Sequence, residues 1–129
     1  MSSTYINAAL RRLVASRAGI HCEYCHIQED DTFLGCQVDH IISEKHGGLT
    51  VAENLAYACT FCNRNKGSDI ASLAADGTLT RLFNPPTDDW ASHFSIVGFA
   101  VQGLTPIGEV TARLLGFNTP ERLLEREAL

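Results

Sequence analysis

The chain has 129 residues, a length that suggests one domain, and its 45% hydrophobic and 19% charged residues match an ordinary soluble globular protein. The formal net charge of −5 counts against tight, non-specific binding of nucleic acid by this chain alone. No apolar run approaches the ~20 residues of a membrane span, and the opening MSSTYINAAL lacks the apolar core of a secretory signal. The expected setting is therefore the cytoplasm, with no membrane partner.

In chain order, Thr4 to Ala18 reads as an amphipathic helix, with Ile6, Leu10, Leu13, Val14 and Arg17 at helical spacing and Gly19 as the C-cap. Its arginines Arg11, Arg12 and Arg17 either face nucleic acid or form a solvated helix face. The cysteine pair of HCEYCHIQ follows. Thr32 to Ile42 alternates apolar positions and reads as a strand ending in VDHII. The polar loop SEKHGGLTVAE turns at Gly47-Gly48. Leu55 to Ala58 reads as a second strand, and the second cysteine pair runs into a helix from about Asn63 to Ala75. Beyond it, Thr78 to Phe83 reads as a strand broken by Asn84-Pro85-Pro86, and Phe94 to Val101 as another strand, apart from Gly98. Thr105-Pro106 opens a helix to about Leu115 with Gly116 as its stop, and Thr119-Pro120 opens a second in the same way. No linker or internal repeat interrupts the chain, and the tail is expected to pack on the same core.

The chain has five cysteines, and in a reducing compartment paired cysteines are more often metal ligands than disulfides. Cys22 with Cys25 and Cys59 with Cys62 form two CxxC turns, each able to present two thiolates to one ion. Four thiolates close a tetrahedron and leave no open position, so zinc held there is structural and contributes to folding. The competing reading, two redox-active or disulfide-forming pairs, lacks the βαβ surroundings of a thioredoxin-like site. Cys36 is left over as a free thiol. His21 and His26 flank the first pair, but four cysteines already suffice.

Between the cysteine pairs lies a second set of polar residues. Hydrolysis of a phosphodiester needs a deprotonated water, a polarised phosphate and a stabilised leaving oxygen. A His takes a water proton near neutral pH, and a carboxylate with an amide oxygen holds a hard divalent ion while leaving positions open. Asp39 and His40 are adjacent, so on a strand their side chains point to opposite sides. Asn63 directly follows the second cysteine pair.

The motifs CEYC, VDHI, HGG, ENL and CTFCNRNKG, in this order, resemble the HNH nucleases with two CxxC pairs. The resemblance covers about Cys22 to Gly67, and the tail from LFNPPTDDWASHF through GLTPIGEVTARLLGFN is less specifically similar to tails of small stand-alone bacterial members. It implies an α+β protein with a ββα-metal core over about 20–75, an N-terminal helix, and a C-terminal strand and helix extension over about 76–129, all in a single domain 1–129. It assigns His40 as general base, Asp39 and Asn63 as ligands of a catalytic magnesium or manganese, Asn54 as the residue that fixes the loop and orients the base, and Lys66 as a basic residue near the phosphate path. Arg64 is a weaker candidate for a DNA contact. His46 either approaches phosphate beside Gly47-Gly48 or stands idle, and His93 is expected to be structural.

The activity implied is metal-dependent endonucleolytic hydrolysis of DNA, nicking one strand per event, with RNA not excluded and with a homodimer or protein partner supplying further affinity. The alternative is a zinc-ribbon-like module that binds nucleic acid or protein without turnover, which the acidic charge favours and the intact Asp39, His40, Asn54 and Asn63 set opposes.

Overall fold

A computed structural model describes residues 5–32 and 34–129. Helix α1 spans Ala8–Ala18. Asn7 starts it, its side-chain oxygen accepting from the Leu10 amide at 2.8 Å. Gly19 ends it with a left-handed backbone. Thr4, the expected start, lies outside the described residues. The buried stripe is Val14 and Ala18 with Ile6 just ahead of the helix, whereas Leu13 is exposed despite its spacing.

Strands β1 (Cys36–His40) and β2 (Leu55–Cys59) form an antiparallel hairpin in which Asp39 pairs with Ala56 and His40 with Leu55. The strand expected from Thr32 begins only at Cys36, because a 3-10 turn over Glu29–Asp31 and a bend precede it. All five residues of β2 are buried. Leu55 and Tyr57 pack with Val14, Ala18 and Val38, while Ala56 and Ala58 pack in the second core cluster with the cysteines. A strand covered on both faces needs apolar residues at consecutive positions, not alternate ones.

Helix α2 spans Thr60–Lys66, starting earlier and ending sooner than expected. Residues Ala71–Leu73, predicted to be helical, are instead strand β3, which pairs with β4 (Leu79–Arg81). Gly67 ends the helix, and the pairing offered by β4 outweighs the local helix preference downstream. A short helix α3 (Trp90–His93) precedes β5 (Phe94–Val97). The single strand expected over Phe94 to Val101 is a hairpin of β5 and β6 (Ala100–Gly103), reversing at Gly98, whose φ of +63° suits glycine. Helices α4 (Pro106–Leu114) and α5 (Pro120–Glu127) complete the chain, each with proline in its first turn.

The main core joins both halves of the sequence. Cys22, Cys25, Cys59 and Cys62 belong to the same buried cluster as Leu82, Phe83, Phe94, Val101, Val110, Leu115 and Phe117. Trp90 ties the extension to the first cysteine turn, its indole N–H donating to the Tyr24 carbonyl at 2.8 Å. The structure is thus mixed helix and small antiparallel sheets, with β1, β2 and α2 as a ββα unit.

Candidate active site and metal centre

The cysteine turns bring their sulfurs together. Between Cys22 and His26 the chain folds back, with the His26 amide donating to the Cys22 carbonyl at 3.0 Å and the Cys22 amide to the Ile27 carbonyl at 2.9 Å. His26 takes a positive φ of 64° to make that reversal. Cys59 ends β2 and N-caps α2, so Cys62 follows in the first turn of that helix. The four Sγ atoms lie within 4.8 Å of one another, and all four residues are at most 2% exposed. Sulfurs around a tetrahedral zinc with bonds of about 2.3 Å stand about 3.8 Å apart. The Cys25 and Cys59 sulfurs are 3.8 Å apart. The donor set and spacing therefore fit zinc, closed on all sides.

Cys36 pairs across the hairpin with Cys59 but is not in the sulfur cluster. Burial, first, and then the negative charges of Cys59 and Glu29 push its thiol up to about 12, which favours the protonated form.

The second polar cluster sits at the end of β1 and in the loop that returns to β2. Asn54 staples this loop. Its side-chain oxygen accepts from the Ile42 amide at 2.9 Å, and its side-chain nitrogen donates to the Ile42 carbonyl at 2.9 Å and the Leu49 carbonyl at 2.8 Å. The staple requires Gly48. A Cβ there would lie 1.7 Å from the Ile42 carbonyl oxygen and 2.8 Å from the Asn54 amide nitrogen. The HGG motif, read as a turn signal, is thus also a close-packing requirement.

His40 is 5% exposed. Its Nε2 is 2.8 Å from Thr50 Oγ1. Its Nδ1 is buried without a hydrogen-bond partner among the described residues and stands 4.0 Å from Asp39 Oδ1. Asp39 is partly exposed, so the pair lies at the boundary between core and solvent. Although adjacent strand residues point to opposite faces, the strand ends at His40 and the two polar tips converge.

Lys66, expected near the phosphate path, is buried, and its ammonium donates to the Ile41 carbonyl at 2.5 Å. Burial lowers its pKa, and the negative charges of Asp39 and Asp69 oppose that shift. This bond fixes α2 against the end of β1. Asn63 lies three residues earlier in α2, hence on the same helix face as Lys66. It is half-buried there. Asp39 and Asn63 offer oxygen donors, which suit magnesium or manganese better than a nitrogen- or sulfur-preferring ion.

The remaining candidates fall elsewhere. Arg64 is exposed, its guanidinium 5.2 Å from the Phe61 ring centre. His46 is exposed in a 3-10 turn. His26 stacks on Trp90 at 3.9 Å, and His93 Nδ1 meets Thr105 Oγ1 at 2.6 Å. Arg17 bonds the Ala52 and Leu55 carbonyls and Glu23, so it braces the hairpin. Two residues escaped the sequence reading. Thr50 had a weak signal in its place just after Gly47-Gly48. Arg122, whose guanidinium reaches the cysteine sulfurs, had none, since 60 residues separate it from Cys62.

No curated protein and no solved structure compared with the chain matches it. Residues 22–69 match the family model described as HNH endonuclease, a stretch that contains all four clustered cysteines and Asp39, His40, Asn54, Asn63 and Lys66. That stretch, with its hairpin, helix and four-cysteine cluster, is similar to HNH endonucleases, which points to a nuclease-type function.

Proposed function

We propose that this protein is an endonuclease that hydrolyses DNA phosphodiester bonds with a divalent metal, and that His40 is its general base. The observation that carries this reading is the buried Nδ1 of His40, which has no hydrogen-bond partner among the described residues and stands 4.0 Å from the Asp39 carboxylate. A buried polar atom left unpaired costs free energy and calls for an explanation, and a catalytic role is one such explanation. In the tautomer that carries its proton on Nε2 and donates it to Thr50, Nδ1 keeps a lone pair for a water proton.

Asp39 and Asn63 would hold magnesium or manganese, which supplies polarisation of the phosphate and stabilisation of the leaving oxygen. His40 Nδ1 takes the proton of the attacking water, the new bond forms from water oxygen to phosphorus, and the bond from phosphorus to the 3′ oxygen breaks. Asn54 keeps the loop closed over His40. Lys66 acts as a positioning residue, pinning α2 to the strand that carries Asp39 and His40. One such site cuts one strand per event, so nicks precede double-strand breaks. The zinc centre and the extension share one core, which supports a single unit over 1–129. The net charge of −5 supports a second copy or a partner protein as the source of further DNA affinity.

The same charge is the observation that favours the rival, a binding module without turnover. Plasmid cleavage by zinc-loaded protein with added magnesium or manganese separates the two. The expected result is nicked plasmid with the wild type and a loss of about 10²- to 10⁴-fold in His40→Ala, with fold and zinc content retained. Absence of metal-dependent cleavage of both matched DNA and matched RNA by the folded wild type would sink the nuclease reading. Cleavage of RNA alone would move the substrate and keep the mechanism.

A further inference from the structure

Helix α5 places one arginine where the sequence offered no reason for it. Arg122 is 1% exposed, although it carries a permanent positive charge. Its Nη2 lies 3.1 Å from Cys25 Sγ and 3.6 Å from Cys59 Sγ, and its Nη1 lies 3.7 Å from Cys62 Sγ. Its Nε donates to Glu125 at 3.1 Å, and its guanidinium lies 4.9 Å from the Phe61 ring centre. The fourth sulfur, Cys22 Sγ, accepts from the Cys25 amide at 3.5 Å. Each of the four sulfurs therefore has an N–H donor.

Charge explains why a buried guanidinium is tolerated there. Four thiolates on one zinc ion sum to a buried charge of about −2, because zinc carries two positive charges. Neutral thiols would leave Arg122 with Glu125 as its one close anion, whereas a thiolate centre gives it several charge-assisted hydrogen bonds. A flat fork with five donors can reach three sulfurs at once, and a lysine ammonium cannot match that shape.

We propose that Arg122 is a positioning residue of the zinc centre, hydrogen-bonding three thiolates from α5, so that zinc retention and docking of the C-terminal helix depend on each other. The extension is then part of the metal site. This proposal stands on the four-cysteine site and does not depend on nuclease activity. Groups that bond to metal ligands from behind typically change metal affinity by about 10- to 100-fold when removed.

The test compares the wild type with Arg122→Gln, Arg122→Lys and Glu121→Gln, the last altering an exposed residue of the same helix. Zinc release to a colorimetric chelator is timed, and the sulfur-to-metal charge-transfer band is recorded after cobalt replaces zinc. The expected result is release faster by about 10- to 100-fold in Arg122→Gln. Its cobalt band moves to longer wavelength, because sulfurs without N–H donors give up electrons more readily. Arg122→Lys falls between, and Glu121→Gln matches the wild type. Wild-type release and an unmoved band in folded Arg122→Gln overturn the proposal. If that variant fails to fold, the same result in Arg122→Lys overturns it. Release from Glu121→Gln as fast as from Arg122→Gln assigns the effect to general loosening of α5 and also overturns it. A wild type that takes up no zinc overturns it together with the four-cysteine reading.

Discussion

The ββα unit carries two polar clusters of opposite construction, set on the same strands and helix. At the cysteine end, Cys22, Cys25, Cys59 and Cys62 are fully enclosed, every sulfur has a donor, and even the neighbouring arginine is buried. At the loop end, Asp39 reaches solvent and His40 keeps one nitrogen without a partner among the described residues. A saturated cluster contributes stability and has no coordination left for chemistry. An unsaturated one costs stability and retains the capacity to take a proton or a ligand. On the proposed function, the comparison teaches that these tasks are kept at two ends of one short hairpin.

The strongest way to break this comparison is to remove the zinc. Structural zinc sites in small domains bind with about 10–16 kcal/mol of apparent free energy at neutral pH, comparable to the stability of a whole domain. Chelation of the wild type is therefore expected to melt the fold, seen as loss of the near-ultraviolet signal of Trp90 and its aromatic neighbours. Retention of that signal in metal-free protein would show that the cluster is dispensable and the division of labour misplaced.

A smaller and more selective effect is expected from Gly48→Ala. The added methyl meets the Ile42 carbonyl, a backbone atom that cannot turn aside. The loop must move, at a cost of about 1–3 kcal/mol or more. Thermal midpoint and nicking rate should fall, while the zinc content stays at one ion per chain. Loss of zinc in this variant would mean that the two clusters are not separable.

Thr50→Val should give the smallest change and the sharpest one. Valine keeps the volume and removes the hydroxyl partner of His40 Nε2. A hydrogen bond of this kind contributes about 1 kcal/mol, so roughly a fivefold drop in the chemical step is expected, with a stability loss of about 1 kcal/mol from the unpaired Nε2. The pH–rate profile should shift, and Thr50→Ser should restore both rate and profile. An unchanged profile in Thr50→Val would leave the hydroxyl with a packing role alone.

Much of the candidate site was legible because its motifs are local. CEYC and CTFC each place two sulfurs within one turn, and VDHI sets Asp39 beside His40 whatever the rest of the chain does. Asn54 and the paired glycines also announced the loop. The role of Gly48 did not, because the Ile42 carbonyl that excludes a side chain approaches from six residues away. Element ends were misjudged where pairing competed with propensity. Ala71–Leu73 has a helix-compatible composition and becomes a strand because Leu79–Arg81 lies beside it. Leu13 has the spacing of a buried residue and is exposed, because the stripe that meets β2 is led by Val14 and Ala18.

The sequence by itself determined the two cysteine turns, the Asp39-His40 pair and the order of hairpin and helix, since these depend on residue type and short spacing. Only the tertiary structure decided that Thr50 faces His40, that Lys66 bonds the Ile41 carbonyl, and that Arg122 closes over the sulfurs. Each of these contacts joins residues separated along the chain, by 10, 25 and 97 positions respectively. Such partners are selected by burial and charge compensation in the packed core, which no local pattern encodes.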